Sequence, residues 1–424
     1  MIKFLLKGLL RDKSRSSIPL IVVAIGAMLT VILHAYMKGF MGDTIEMNAR
    51  FNYGHLKVTT LPYAENISQL PNDLAILEAG KLMTDLETLF PEVEWSQRIQ
   101  FAGLMDSPDE NGETREQGPA MGMGIDILSP GSTEPQRLNL QKSIVRGNMP
   151  DSSRELLLSE NFSRKLMVNP GDKVTFIGST MNGSMAVQDF IVAGTLLFGT
   201  EALDRGTFIA DISDVRTALD MIDATGEISG FFRTGFYDDD SAVEVSEKFN
   251  SLHSGDNDEY KPVMKSLSQQ GSMGTYVKMS DYWANYITLF FVFAMSLVLW
   301  NAGLLGGLRR YGEIGIRLAM GEEKGHVYRT MIFESVMIGL AGSVIGTLSG
   351  LFFAWLLQKY GIDISGLMKT SSLMMPPTIR ARITPPDFFI GFIPGLFSTV
   401  LGTMLSGRGI YKRQTARLFK ELES

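Results

Sequence analysis

The chain has no cysteine and only four histidines among its 424 residues, at positions 34, 55, 253 and 326. Without cysteine there can be no disulfide, no thiolate metal site and no lipid-modified cysteine. The histidines are scattered and lack the ligand spacing of a metal site. The chain also lacks a G-x-x-x-x-G-K-[ST] phosphate loop, an H-E-x-x-H motif and a G-x-S-x-G motif. We therefore expect no catalysis by this chain, and no cofactor or metal bound to it.

Charged residues are almost absent from four stretches, each long enough to cross a bilayer as a helix of about 20 residues. These stretches are 18–36, 286–308, 331–357 and 388–405. The first is longer than the apolar run of a usual cleaved signal peptide, and no clean cleavage site follows it. We predict a membrane α-helical protein with four transmembrane helices and a large α/β extracytoplasmic domain inserted between helices 1 and 2.

The two kinds of charge are divided unequally along the chain. Residues 43–281 contain 37 Asp/Glu and 19 Lys/Arg, whereas the rest of the chain contains 9 and 20. Lys and Arg near membrane helices stay in the cytoplasm, so the basic N-terminus, the link between stretches two and three, and the C-terminal tail are predicted to be cytoplasmic. The acidic block then lies outside, and its negative charge disfavours nucleic-acid binding.

These observations give a predicted domain organisation. Its parts are a cytoplasmic amphipathic or basic leader (1–17), transmembrane helix 1 and stalk (18–42), the extracytoplasmic domain (43–281, with an inserted strand-rich subdomain at about 122–227), transmembrane helix 2 (282–308), a charged cytoplasmic segment (309–330), transmembrane helix 3 (331–358), a short outer loop (359–387), transmembrane helix 4 (388–407) and a cytoplasmic tail (408–424). The leader fits equally a helix on the inner leaflet and a solvated segment that only sets orientation.

Within the outer domain, alternating or apolar runs predict strands at 55–60, 155–158, 173–177, 188–192 and 206–210. Helical patterns predict helices at 73–90, 159–166, 212–222 and 242–252. Asn182-Gly183-Ser184 predicts a short hairpin tip between two of the strands. The acidic run at 238–240 is interpreted as a solvated face rather than a metal site.

Glycines recur four residues apart within the predicted membrane helices. They are Gly303 and Gly307, then Gly342, Gly346 and Gly350, then Gly391 and Gly395. Small residues at this spacing allow helix backbones to approach closely in lipid, so we predict that they mark helix–helix contacts. The partner helix is not predicted, and the alternative is that glycine is simply common in membrane helices.

A short charged segment, Leu-Arg-Arg-Tyr-Gly-Glu-Ile-Gly-Ile-Arg-Leu-Ala-Met-Gly at 308–321, separates the second and third stretches. Ile314, Ile316 and Leu318 lie among Glu313 and Arg317, which predicts a short, half-apolar helix on the cytoplasmic side. Such a helix offers a surface to a partner protein. The alternative is an interfacial helix lying on lipid.

The sequence from Tyr311 to Gly321 resembles the R-E-I-G-I-x-R-A-L-G-A signature of the FtsX/MacB/LolC-LolE superfamily of ABC transporter permeases. Met37-Lys38-Gly39-Phe40 and His55-Leu56-Lys57-Val58 are similar to the M-N-G-F and P-H-I-x-V patterns of the lipoprotein-releasing LolC/LolE branch. Residues 147–192 are similar to the MacB-like periplasmic core domain of the superfamily. Lys38 stands where that branch has Asn, and the hairpin at 179–186 is shorter than the chaperone-recruiting hook of one Lol permease.

The resemblance implies a permease subunit of a mechanotransmission ABC transporter, placed in the bacterial inner membrane with both termini cytoplasmic and the large domain periplasmic. In such transporters a separate ATPase closes on ATP, and the movement reaches the outer domains; in the Lol branch this releases lipoproteins from the outer leaflet. The implied partners are an ABC ATPase subunit (LolD-like) that binds ATP and Mg, a second permease subunit in a homo- or heterodimer, lipoprotein cargo, a periplasmic chaperone and membrane lipids. The short hairpin leaves chaperone recruitment by this chain open.

The resemblance also points to two sets of site residues. For ATPase coupling they are Glu313, Ile314, Ile316, Arg317, Met320 and Gly321, with the alternative that Glu313 and Arg317 only pair with each other across one helical turn. For cargo, acyl chains are expected between the outer ends of the first two membrane helices. The Met and aromatic residues there are Tyr36, Met37, Phe40, Met41, Tyr282, Trp283, Tyr286, Phe290 and Phe293. The alternative for this set is an ordinary interfacial aromatic belt.

Two other functions stay open at this point. An FtsX-like permease uses the same machinery to signal to cell-wall hydrolases, although its outer domain is smaller. A MacB-like efflux permease works with a periplasmic adaptor, although its ATPase is usually fused to the permease.

Overall fold

The computed structural model describes residues 13–109, 111–199, 201–254, 258–308, 311–363 and 378–412. Most of the predicted leader, the middle of the predicted outer loop and the end of the predicted tail lie outside the described residues. The chain divides into two compact units. We call them the helical unit (1–43, 279–362 and 379–424) and the α/β unit (44–278 and 363–378).

The α-helices, numbered in chain order, are α1 (Lys13–Asn48), α2 (Leu61–Glu65), α3 (Ala79–Leu89), α4 (Glu134–Arg137), α5 (Leu140–Ser143), α6 (Glu160–Lys165), α7 (Glu201–Asp204), α8 (Ile212–Leu219), α9 (Asp239–Leu252), α10 (Met273–Leu308), α11 (Tyr311–Ala319), α12 (Lys324–Tyr360) and α13 (Thr399–Lys412). Short 3₁₀ turns lie at Ile67–Gln69, Asn72–Leu74, Leu267–Gln269 and Pro385–Phe388, and π-helical turns lie at Ala49–Tyr53 and Ile393–Ser398.

The strands are β1 (Leu56–Thr60), β2 (Ile76–Leu77), β3 (Val93–Pro108), β4 (Thr114–Ile125), β5 (Ile144–Gly147), β6 (Glu155–Ser159), β7 (Lys173–Ser179), β8 (Met185–Leu196), β9 (Thr207–Asp211), β10 (Ala224–Thr225), β11 (Glu227–Phe232), β12 (Pro262–Ser266), β13 (Ile362–Asp363) and β14 (Thr378–Ile379).

Four helices among the described residues are long and apolar enough to cross a membrane. They are Ser17–Tyr53, Met273–Leu305, Lys324–Tyr360 and Pro385–Arg408. The prediction of four apolar membrane-length helices is therefore confirmed, although each helix is longer than the apolar stretch that predicted it. The fourth is irregular, because a 3₁₀ turn and a π-helical turn precede α13.

The α/β unit contains a closed barrel. Strands β3, β4, β9, β6 and β8 are hydrogen-bonded in that order, and β7 pairs with both β8 and β3. These six strands therefore form a ring. Outside the ring, β11 pairs with the first part of β3, from Val93 to Arg98, and β1 and β12 extend the sheet beyond β11.

Phenylalanines fill the interior of the barrel. Phe101 meets Phe176 and Phe208 edge to face, with ring centroids 5.0 and 5.5 Å apart. Gly122 makes room for Phe101, since a Cβ at Gly122 would lie 2.3 Å from that ring. Burial of this cluster, which also includes residues of α6 and α8, explains why apolar residues alternate along the barrel strands.

A second buried cluster lies on the sheet extension, where α3 and α9 contribute Leu86 and Phe249. Their apolar faces pack on Val58, Trp95 and Ile228 of the strands. The α/β unit thus has separate apolar cores for its barrel and for its sheet extension, and β3 belongs to both.

Most predicted elements of the outer domain are confirmed, with each end no more than four residues from its predicted position. The helix predicted at 73–90 is wrong in its first third, because Ile76–Leu77 pairs with β10 and Glu78 has a left-handed φ of 50°, so that the helix begins at Ala79. The helix predicted at 212–222 ends at Leu219, since Asp220 has a φ of 56°. The long hairpin of β3 and β4 was not predicted. The hairpin tip at 182–184 is confirmed, with Thr180 N bonded to Ser184 O.

Candidate functional site

The charged segment between the second and third membrane-length helices forms α11. Gly321 ends it in a left-handed conformation with φ 92°. The Gly321 amide donates to Leu318 O and the Glu322 amide donates to Arg317 O, each at 3.1 Å. These two bonds form the Schellman cap, which favours glycine at the left-handed position. Gly321 therefore sets the turn between α11 and α12.

The six predicted coupling residues divide by exposure. Ile314 is 3% exposed and packs with Val327 and Met331 of α12, so it holds α11 against the next helix. Ile316 and Met320 are 49% and 75% exposed and present apolar surface. Glu313 is also exposed. The surface open to a partner is thus formed by Glu313, Ile316 and Met320 rather than by the whole set.

Arg317 has a partner within the same segment. Its Nε and Nη2 donate to the two carboxylate oxygens of Glu322, at 2.7 and 2.9 Å. His326 lies 3.7 Å from the same carboxylate. A bidentate pair of this kind fixes the orientation of the guanidinium, so Arg317 is held at the cap of α11 by Glu322.

The predicted cargo residues on α10 are strongly exposed. Tyr282, Trp283, Tyr286, Phe290 and Phe293 are between 53% and 74% exposed. On α1, the rings of Tyr36 and Phe40 stack at 6.4 Å. Lys38 of α1 and Asp281 of α10 form an ion pair at 3.0 Å, which brings these parts of the two helices side by side. The predicted set therefore lies on adjacent helices, with its α10 members facing outward.

The glycines of α12 lie against α1. A Cβ at Gly342 would be 2.7 Å from Val23 Cγ1, one at Gly346 would be 2.3 Å from Ala24 O, and one at Gly350 would be 2.8 Å from Val31 Cβ. These distances require glycine, so the partner helix that the sequence left open is α1. Gly303 of α10 instead approaches Thr399 O, and the surroundings of Gly307 lie outside the described side chains.

A buried pair that the sequence analysis missed joins α1 to the start of the fourth membrane-length helix. His34 Nδ1 lies 2.7 Å from Asp387 Oδ1, and the two residues are 4% and 0% exposed. The other Asp387 oxygen accepts the amide and hydroxyl of Thr384. The available signal was an ionisable residue in or beside each of two apolar stretches, because such residues are rare and are usually paired. This pair fixes the segment leading into the fourth helix on α1.

Part of the helical region is similar to a known protein family. Residues 285–415 match the family described as FtsX-like permease, C-terminal. This part of the chain is similar to FtsX-like permeases. It contains most of α10, all of α11 and α12 and the fourth membrane-length helix, so the FtsX-like part of the predicted resemblance is confirmed for this region. Together with the four apolar helices, it indicates an integral membrane protein.

No curated protein matches the chain in sequence. Among solved structures, the periplasmic region of MacB from Actinobacillus actinomycetemcomitans is similar at 13% identity and a TM-score of 0.35, covering 53% of this chain and 92% of that chain. A similarity of this strength establishes neither a shared fold nor a shared function.

Proposed function

We propose that this protein is the permease subunit of a mechanotransmission-type ABC transporter that releases lipoproteins from the outer leaflet of the bacterial inner membrane. The observation that carries the proposal is the match of residues 285–415 to FtsX-like permeases. The exposed face of α11, between two membrane-length helices, is consistent with it. The LolC/LolE-like motifs of the sequence favour lipoprotein release over signalling or efflux.

The proposal assigns ATP hydrolysis to a separate LolD-like ATPase, which carries ATP and Mg. Two permease subunits form a homo- or heterodimer beneath which the ATPase closes. Both termini and α11 are cytoplasmic, and the α/β unit is periplasmic, as the distribution of Lys and Arg favours. A periplasmic chaperone receives the released lipoprotein.

Coupling to the ATPase is assigned to the exposed face of α11. Ile316 and Met320 supply the apolar contact, and Glu313 supplies a polar one. Ile314 and the Gly321 cap act indirectly, by fixing α11 on α12. Movement of the ATPase would then displace both helices that adjoin α11.

Cargo binding is assigned to the aromatic face of α10 and the adjoining part of α1. Aromatic and Met side chains offer adaptable apolar surface for acyl chains. On α10 that surface is uncovered within one subunit, with Phe290 74% exposed. The Lys38–Asp281 ion pair lies beside this surface and holds the two helices together there.

Affinity purification from the native membrane in mild detergent, followed by mass spectrometry, tests the proposed function. We expect an ABC ATPase, a permease subunit and acylated lipoproteins to be retained. An ATPase retained with a cell-wall hydrolase or an adaptor, and without acylated protein, would replace lipoprotein release by signalling or efflux. The absence of any ATPase would refute the permease assignment itself.

A further inference from the structure

The end of α1 and the turn after it belong to the α/β unit, where side chains from elsewhere in that unit bind their backbone carbonyls. A helix leaves its last four carbonyls without partners inside the helix. In the π-helical turn that follows α1, Arg98 Nη1 donates to Arg50 O at 2.8 Å and to Phe51 O at 3.2 Å. Lys57 Nζ donates to Asn52 O at 2.5 Å, and Gln270 Nε2 donates to Tyr53 O at 3.2 Å. Four consecutive carbonyls are therefore held by three side chains.

We call Lys57, Arg98 and Gln270 the carbonyl clamp. All three are buried, at 4%, 0% and 7% exposure. The two cations have buried counter-ions: Arg98 Nε donates to Glu134 at 2.9 Å, and Lys57 donates to Glu227 at 2.6 Å. The positive charges also lie at the negative end of the helix dipole, where cations are favoured.

Neutral donors would also satisfy the four carbonyls, so hydrogen-bond satisfaction alone does not require buried ion pairs at this place. Apolar residues of similar volume often stabilise a protein as well as a buried ion pair does. What the ion pairs add is direction, because a charge-assisted hydrogen bond fixes both the distance and the angle between its partners. The clamp therefore fixes the position of the helix end rather than only burying it.

Arg98 occupies a special position on β3. Strand β3 pairs with β11 as far as Arg98, which lies opposite Glu227, and from Ile99 onward it pairs with β4 of the barrel. Arg98 is thus the residue at which the sheet extension and the barrel meet. Lys57 lies on β1, and Gln270 follows β12, so the other two clamp residues belong to the sheet extension.

We propose that the carbonyl clamp is the connection through which a displacement of α1 moves the α/β unit, with Arg98 as the positioning residue that delivers it to the junction of the barrel and the sheet extension. The proposal rests on the proposed function, since it supplies the route by which ATP-driven movement reaches the outer domain. It assigns Lys57, Arg98 and Gln270 a role in coupling, and none in contact with cargo or ATPase.

The main test compares Arg98→Lys with Arg137→Lys. Arg137 belongs to the same buried network, since it pairs with Glu134 and Glu94 and lies 4.1 Å from the Phe231 ring, but those contacts do not involve α1. In the complex with its ATPase, we expect Arg98→Lys to keep ATP hydrolysis and to release about tenfold less cargo per ATP, as the loss of a charge-assisted hydrogen bond suggests. Arg137→Lys should keep both. Gln270→Met removes a neutral member of the clamp and serves if Arg98→Lys does not fold.

A second measurement needs neither ATPase nor cargo. Because the chain has no cysteine, spin labels can be placed uniquely at the exposed positions Asn52, in the π-helical turn, and Glu247, on α9. We expect a narrow distance distribution between them in the parent chain and in Arg137→Lys, and a broadened one in Arg98→Lys and Gln270→Met.

The outcomes separate the two proposals. An unchanged distribution in both clamp variants would refute the clamp, whatever the chain transports. A broadened distribution with normal release per ATP would show that the clamp does not carry the movement. If the parent complex hydrolyses ATP but releases no lipoprotein, the proposed function is refuted. The distance distribution still tests whether the clamp fixes the helix end, because that measurement needs neither ATPase nor cargo.

Discussion

The contact between α1 and α12 gives the most direct prediction for the helical unit. We expect Gly346→Ala to destabilise this unit, although alanine is the better helix former of the two residues. The reason is the distance at which α1 passes. A Cβ at this position would lie 2.3 Å from Ala24 O and 2.7 Å from Ala27 Cβ.

The size of the effect follows from these distances. Atoms in ordinary contact with a Cβ lie at 3.4 Å or more, so the two backbones would have to separate by roughly 1 Å. Overpacking of a close contact costs about 1–3 kcal/mol. Gly42→Ala is the matched control, since Gly42 lies inside α1, the helix that Gly346 of α12 faces, and a Cβ at Gly42 would have no other heavy atom within 4 Å. At Gly42 we expect a stabilisation of about 0.5–1 kcal/mol.

The assay is the temperature at which half of the detergent-solubilised protein stays monodisperse in size-exclusion chromatography. Gly346→Ala should lower this temperature, and Gly42→Ala should leave it equal or raise it. Equal temperatures for Gly346→Ala and the parent chain would refute the close approach of α1 and α12.

Three further predictions concern coupling, cargo and acid stability. Arg317→Glu should reduce stimulation of the partner ATPase. If the Arg317–Glu322 pair only shapes the cap of α11, adding Glu322→Arg should restore the stimulation. If the double variant does not recover, Arg317 contacts the ATPase directly. A photo-crosslinker at Phe290 should capture acylated protein. One at Leu348, which is 63% exposed on α12, should not. Equal capture at the two positions would show that the aromatic face is an ordinary interfacial belt and not a cargo site. Burial raises the pKa of Asp211, but hydrogen bonds from Ser213 and from the Ile127 and Leu128 amides outweigh it and hold that pKa below its ordinary value. The stabilisation from Asp211 is therefore present above its unfolded-state pKa, and it is lost as the pH falls through its folded-state pKa. We expect Asp211→Asn to be less stable than the parent chain at pH 7, and to lose less stability than the parent chain below about pH 4. Urea midpoints followed by circular dichroism measure this, and parallel pH profiles would contradict it.

Local patterns were enough to predict the membrane-length helices and many short elements. A long apolar run is enough to locate a membrane-length helix. A strand shows itself within five residues, by apolar–polar alternation in β1 and by a short apolar run in β6. Turn chemistry was equally local at Gly183, which has a φ of 79°. These features depend on neighbours in sequence, so one sequence suffices to find them.

Features formed by distant residues could not be predicted in this way. The barrel closes because β7 pairs with β3, about 70 residues earlier in the chain. In the alternation of β3, Arg98 falls among the polar positions Glu94, Ser96 and Gln100, so the pattern predicts an exposed side chain. Its burial makes sense only when Glu134 and the end of α1 are beside it. His34 and Asp387 are 353 residues apart. The coupling residues were predicted only in part. The sequence was enough to locate the charged segment, but the burial of Ile314 depends on its packing against α12 and was not predicted.

The most direct test of the central claim uses proteoliposomes that contain this chain, its co-purified ATPase and permease partner, and a triacylated lipoprotein. The measurement is the lipoprotein released per ATP hydrolysed, with a periplasmic chaperone as acceptor. We predict release that requires ATP and hydrolysis that falls when Ile316 and Met320 are both replaced by Asp. Vigorous ATP hydrolysis without release of any lipoprotein would contradict the account.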